Sequence, residues 1–299
     1  MAEVVQYSNE FLPHVIRLFS PKSTKIDGQL NYFRQLFALY YPGPEQSCLL
    51  LKGSDRLLAC AHLASLQQIQ PGLVYVNLGV DPDLAPDMWK AFWSRCCDLA
   101  KTIVKDSPLL RTVVGEKAIP IYLETVGFQV TREQVELHAP LGGLPPVQGS
   151  ANDFEVVSLA EQPEQLAQWL DVFNQGLTVF WDIPPLDTAS FQRLRETPGF
   201  DPSAFRLGIG GGEPAAALFY SVMDSNSGMV RINAAATASG QRSEGYGRRM
   251  IKDALNHLEK QGFSMAVIYT DAANQATNLL FKMLGFRPAC TLKILENQL

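Results

Sequence analysis

The chain lacks any apolar run long enough to span a bilayer as a helix, a basic stretch at its start, and any C-x-x-C pair. The first absence excludes an ordinary membrane-spanning helix. The opening MAEVVQYSNE carries an early glutamate and no apolar stretch after it, so no secretory signal is expected. Cysteine is sparse: Cys48, Cys60, Cys96, Cys97 and Cys290 are odd in number and scattered, which fits the reduced thiols of a cytoplasmic protein and argues against a disulfide framework. The four histidines, His14, His62, His138 and His257, stand apart from one another and from the cysteines, so no metal cofactor is expected. Basic charge is also scarce. Lys and Arg total 25 against 30 Asp and Glu, a net charge of −5, with no cationic stripe of the kind phosphate neutralisation needs. Neither a nucleic-acid nor a membrane partner is expected.

The residues that are present have the composition of a globular protein, 46% hydrophobic and 18% charged. A length of 299 residues suits two domains of about 150 residues each. The clearest punctuation is APLGGLPPVQGSAND, Ala139 to Asp153, where Gly, Pro and small polar residues interrupt the hydrophobic period. It divides the chain into a domain over 1–141, a linker over 142–152 and a domain over 153–299. The halves repeat one another. Each opens with a short alternating strand (EVVQYS, FEVVSLA), continues into helical patterns, and gives a strand pair (SCLLLKGSDRLLACAHLASL, AFRLGIGGGEPAAALFYSV). Each closes with a short helix ending in Gly-Phe and a last strand. Gly245 and Gly285 stand 40 positions apart; Met88, at the matching place, and Gly127 stand 39 apart. Two copies of one α/β unit is the economical reading.

The stretch SGQRSEGYGRRMIKDALNHLEKQGF, Ser239 to Phe263, puts arginines at the front of an amphipathic helix, where the dipole favours carboxylates. The strand GMVRINAAAT precedes it; Met250, Ile251, Ala254, Leu255 and Leu258 share one face after it, and Gly262 supplies a C-cap. Strand, glycine-bearing turn and helix form a setting that holds an anion. Gly245 and Gly247 let a phosphate approach without a Cβ in the way, and a bound di-anion answers Arg242, Arg248 and Arg249. GIGGGEP, by contrast, precedes a strand and reads as a hairpin turn rather than a dinucleotide loop.

RSEGYG, Arg242 to Gly247, together with VIYTDAANQATNLLFKMLGF, which supplies Asn274, Gly285 and Phe286 in order, resembles the GNAT superfamily of acyl-CoA-dependent N-acetyltransferases over residues 154–295. The resemblance implies an α/β fold with a mixed sheet, built as two tandem GNAT-like acyl-CoA N-acyltransferase domains. It implies an enzyme that transfers an acetyl or other acyl group from acetyl-CoA, or another acyl-CoA, to an amine of a small molecule or peptide by direct attack. By it, the backbone of Arg242, Ser243, Glu244, Gly245, Tyr246, Gly247 and Arg248 cradles the CoA pyrophosphate. Ala235, Ala236 and Thr237 pair with the pantetheine amides, and Asn274 contacts the cofactor arm. Many members carry a proton-donating Tyr four residues before the Gly of Gly-Phe. Here that position is Phe281, which has no proton to give, so Tyr269 is the preferred acid and Tyr246 the alternative. Asn233 is the only usual polar candidate on the fourth strand, which leaves deprotonation to water or a backbone carbonyl. TVFWDIPPLDTASF lies where the family roofs its acceptor pocket, with Phe180 and Trp181 to pack on a substrate and Asp182 to attract its amine.

The first half looks like a copy without its site. Met88 and Lys90 replace the glycines, Ala85 replaces the Arg, Pro86 and Asp87 open the helix as a ligand-free terminus does, and Asp83 and Asp87 repel a pyrophosphate. Two other functions are open: a non-catalytic acyl-CoA-binding module, and aminoacyl transfer from tRNA, against which the intact loop and the missing basic stripe count. Monomer and homodimer are both compatible with the sequence.

Overall fold

The computed structural model describes residues 2–19, 43–65, 72–105, 107–115, 120–142, 153–177, 186–196, 200–224 and 228–299. Residues 143–152, nearly all of the expected linker, and Phe180, Trp181 and Asp182 lie outside them. The chain forms two compact units, Met1–Glu133 with Thr291–Leu299, and Gln134–Cys290.

The first unit contains β1 (Glu3–Gln6), α1 (Leu12–Phe19), α2 (Pro44–Ser47), β2 (Cys48–Lys52), β3 (Leu57–Ser65), β4 (Leu73–Val80), α3 (Pro86–Ile103), β5 (Leu109–Gly115), α4 (Pro120–Glu124) and the start of β6 (Gln129–Pro140). Its sheet runs β1-β2-β3-β4-β5 and is extended past β5 by the chain's last strand, β12 (Arg287–Gln298), which pairs antiparallel from Leu292↔Gly115 to Gln298↔Leu109. The aromatic row of α3 is core: Trp89 and Phe92 are fully buried and Trp93 nearly so.

The second unit contains β7 (Phe154–Ser158), α5 (Leu166–Leu177), α6 (Thr188–Arg195), β8 (Phe205–Gly210), β9 (Glu213–Asp224), β10 (Met229–Thr237), α7 (Tyr246–Lys260), β11 (Met265–Asp271) and α8 (Gln275–Met283). The second half of β6 borders β11, and the sheet continues β11-β10-β9-β8-β7. Gly211 and Gly212, both at positive φ (60° and 84°), close the β8–β9 hairpin, because a two-residue turn of the right twist needs left-handed backbone. The α7 face anticipated from its spacing is buried, and Gly262, at φ 87°, ends the helix as Phe263 N–H bonds back to the Leu258 carbonyl.

The two sheet faces carry different helices. Trp169 and Phe173 of α5 pack on Phe205 and Phe219, so odd-numbered residues of this part of β9 face α5. On the opposite face Asp253 of α7 pairs with Arg206, and His257 lies beside Tyr220. Among the described residues no helix is long and apolar enough to cross a membrane.

Candidate functional site

Strands β10 and β11 pair in parallel only from Met229↔Met265 to Ile232↔Ile268. Beyond that point β10 bulges at Asn233 and runs from Ala234 to Thr237 bonded to β9, while Tyr269 to Asp271 stay bonded to β6. A bulge bends its strand, and here the bend parts two neighbours. Alternate backbone groups of Ala234–Thr237 point into the resulting notch. Ala235 is exposed and Ala236 buried. From Thr237 to the apex at Asn233 is about 13 Å of extended chain.

The notch opens where α7 begins. Ser239 donates its N–H and hydroxyl to Gln175 Oε1 (2.8 and 3.1 Å), and Arg242 donates to the Gln175 carbonyl (3.1 Å), tying the loop to the end of α5. Ser243 and Gly245 both have positive φ (72° and 81°), and Gly245 is the N-cap of α7. Among the described residues no N-cap side chain closes this helix, and Arg242 to Gly245, Glu244 included, are half-exposed or exposed. A Cβ on Gly245 would meet open space, so its φ is what demands glycine. Gly247 answers a different constraint. A Cβ there would lie 2.7 Å from Thr237 Oγ1, so its bareness lets the helix sit against the end of β10. The first-turn N–H groups and the positive pole of α7 thus face solvent beside the notch.

The arginines divide their work. Arg249 lies over the Tyr246 ring, 5.4 Å from its centroid, with Asp153 3.7 Å away. Arg248 Nε is buried without a hydrogen-bond partner among the described residues. Tyr246 itself is 9% exposed, stacked on Phe154 at 5.5 Å and fitted over Gly210, where a Cβ would clash with it at 2.4 Å. It anchors α7 to the sheet. Asn274 caps α8, accepting from Thr277 N–H at 3.2 Å. Phe281 is 2% exposed and packs edge-on against Phe286 with centroids 5.0 Å apart, so the position four residues before Gly285 is core.

Tyr269 is the first residue of β11 past the last β10–β11 pair, at the notch apex. Its face is the α5 face, shared with Arg231, whose guanidinium lies 4.5 Å from the Tyr269 ring centroid. On the same face Asn233 Nδ2 donates to Ser221 Oγ at 3.0 Å. Directly across from Tyr269 stands Glu136 of β6, hydrogen-bonded to the His138 ring and accepting from the Cys290 thiol at 3.5 Å. The Glu136 and His138 side chains are 20% and 31% exposed. Sequence reasoning passes over these two residues and Arg231, because Glu136 and His138 belong to the strand counted with the first half. The strict alternation of QVELH, with polar groups at 134, 136 and 138, is the one local sign of a face that meets something polar. A hydrogen bond with Cys60, then burial, raises the pKa of Cys48, and burial raises that of Cys96, so these two thiols are not activated.

Comparison with known proteins matches residues 166–286 to the acetyltransferase (GNAT) family. A mycothiol acetyltransferase of Streptomyces avermitilis is 25% identical over 172 residues, covering 58% of this chain and 56% of its own. One from Streptomyces coelicolor is 24% identical, covering 58% and 55%. The chain thus spans about half the length of the curated relatives it matches. Among solved structures, a GCN5-related N-acetyltransferase from Sphaerobacter thermophilus superposes with a TM-score of 0.79 at 12% identity, over 99% of this chain and 95% of the other. A tandem GNAT protein from the clavulanic acid biosynthesis pathway superposes at 0.68 and 13% identity, over 100% and 98%. The fold is that of the GNAT acetyltransferases, and residues 166–286 are similar in sequence to that family.

Proposed function

We propose that the second unit binds acyl-CoA, with acetyl-CoA as the donor, and passes the acyl group to a primary amine of a small molecule or peptide by direct attack. The observation that carries this reading is the junction of two features at one end of β10: a notch lined by unpaired backbone, and an uncapped helix terminus beside it. The terminus suits a pyrophosphate, with the N–H groups of Tyr246, Gly247 and Arg248 and the unpartnered Arg248 Nε as donors. The Ala235–Thr237 edge suits an amide-bearing arm, which would add to it as a short strand does. Such an arm reaches the apex and brings its thioester to Tyr269, the residue proposed to protonate the leaving thiolate. Asn274 is proposed to touch the arm with the amide nitrogen left over from its capping role.

The first half, 1–141, is proposed to be a degenerate copy that takes no CoA. The acceptor is proposed to lie on the α5 face, with Phe180 and Trp181 proposed to pack on it and Asp182 to attract its amine, in a cytoplasmic protein. The relatives' name makes a compound related to mycothiol the first acceptor to assay. Titration calorimetry with acetyl-CoA, followed by thiol release on addition of amines, tests the reading. One site per chain and amine-dependent release are expected. Absence of binding would refute the reading, and two equivalent sites would refute the degenerate first copy. Binding with no release for any amine would favour a non-catalytic acyl-CoA module, a reading that core-buried Phe281 keeps in play.

A further inference from the structure

The α5 face of the second unit holds a polar group that the fold does not need. A half-buried carboxylate paired with a histidine, in a row otherwise of sheet residues, is costly to keep for packing alone. In the first unit the place matching Glu136 is aliphatic, although its neighbour two residues along carries the Arg111–Glu296 ion pair. β5 and β11 are both seven residues long, and each pairs in parallel at its start with the preceding parallel strand. The fifth residue of β11 is Tyr269, facing Glu136; the fifth residue of β5 is Val113, facing Ile294. Of these two matched pairs, the polar one stands where the notch adjoins the left-handed turn of Ser243 and Gly245.

We infer that Glu136 receives the acceptor's amine and takes a proton from it, with His138 as its positioning partner. The inference rests on the acyl-CoA reading of the notch. Residues opposite one another in an antiparallel pair have Cβ atoms about 5 Å apart, so the Glu136 carboxylate is within side-chain reach of the apex that Tyr269 marks. One carboxylate oxygen is held by His138 and the other by Cys290, which fixes its direction, and its 20% exposure leaves lone pairs for an incoming N–H. Arg231 shares this face, 4.5 Å from the Tyr269 ring centroid, as does Asp271, two residues past Tyr269 on β11.

The step balances. The ammonium gives one proton to Glu136; the amine nitrogen forms its bond to the thioester carbon as the carbon–sulfur bond breaks. The leaving thiolate takes one proton, the nitrogen loses its second as the amide forms, and one proton per turnover reaches solvent by way of the partly exposed His138 ring. Glu136 lies in the first half of the sequence, so that half supplies a catalytic group to the second unit's site even though it holds no cofactor loop of its own.

The test needs no knowledge of the natural acceptor. S-(2-aminoethyl)-CoA, a stable thioether, carries an ammonium next to where the acceptor nitrogen would stand; S-ethyl-CoA carries none. In calorimetry the full-length chain should prefer the aminoethyl compound by about tenfold, and Glu136→Gln should abolish that preference while its affinity for S-ethyl-CoA stays within about twofold. Retained S-ethyl-CoA binding also certifies that the variant is folded. His138→Gln should keep part of the preference. Equal affinities in the wild type, or a preference that survives Glu136→Gln, would overturn the assignment. If S-ethyl-CoA does not bind the wild type at all, the acyl-CoA reading of the notch fails first and this inference with it.

Discussion

The two notches of this chain have the same opening and different contents. In the first unit β4 and β5 pair from Leu73↔Leu109 to Tyr75↔Arg111 and then part, β4 staying with β3 and β5 with β12. In the second unit β10 and β11 do the same. The loop after β4, however, satisfies itself. Asp81 accepts from Asp83 N–H and pairs with Arg56, Pro86 takes the first position of α3 with Asp87 after it, and the Tyr122 hydroxyl of α4 lies 3.0 Å from both the Pro82 and Leu84 carbonyls. The loop after β10 has two left-handed residues and bare helix N–H groups. Both helices lack a side-chain N-cap, so the parted strands and the bare terminus belong to the fold, and what sets the second unit apart is the pair of left-handed residues proposed to face a ligand.

The apex is where this contrast is most exposed to refutation. Tyr269→Phe should lower the rate of acyl transfer by about 10² or more, as loss of a positioned acid does, with CoA affinity unchanged. Val113, the matching residue of the first unit, should tolerate substitution without any effect on rate. A Tyr269→Phe enzyme with wild-type turnover between about pH 6 and 9 would remove Tyr269 from the chemistry.

Next in size is an effect on stability, which belongs to the first unit alone. Burial holds the pKa of His62 down, from 6.5 to about 4. As pH falls below 6.5 the unfolded chain binds this proton first, so the stability of the unit is complete above that value and drops progressively toward pH 4, by about 3 kcal/mol. Hydrogen exchange in β3 should accelerate over that window. In His62→Leu the dependence should flatten, and an unchanged slope in that variant would assign the acid sensitivity elsewhere.

Gly245→Asp should weaken acetyl-CoA binding about a hundredfold, near ~2.7 kcal/mol, by placing a carboxylate where the pyrophosphate lands. Calorimetry reads this directly, and Met88→Asp at the matching place of the first unit should leave affinity as it was. Tyr122→Phe should have the mildest consequence. It removes the hydroxyl that ties α4 to the loop after β4 and should cost about 1 kcal/mol in denaturant unfolding while CoA stoichiometry stays at one. A second equivalent site in that variant would mean that this tie, rather than the missing glycines, keeps CoA from the first unit.

Much of this is readable in the residues. The Gly211–Gly212 hairpin, the buried stripe of α7 and the Gly262 stop follow from local rules that the backbone obeys wherever it is placed. The loop from Arg242 to Gly247 is legible because glycine at positive φ has few substitutes. Glu136 is not legible, since its meaning comes from pairing with Tyr269, a residue 133 positions away, and no local period encodes a long-range register. Gly247 is half legible: its need for bareness is visible, but that Thr237 imposes it emerges only with strand and helix in place.

The first unit takes the strand beside β5 from a late stretch of the chain, Leu292 to Gln298 against Gly115 to Leu109. On a ribosome, which releases the chain from its N-terminus onward at about 5 to 20 residues per second, β5 therefore emerges about 180 residues before its partner. For that interval, on the order of ten to forty seconds, its edge is exposed, and exposed edges recruit other strands. Until then Arg111 stands on an open edge as an uncompensated charge, of the kind that discourages edge-to-edge pairing, and only β12 brings its partner Glu296, at 2.6 Å.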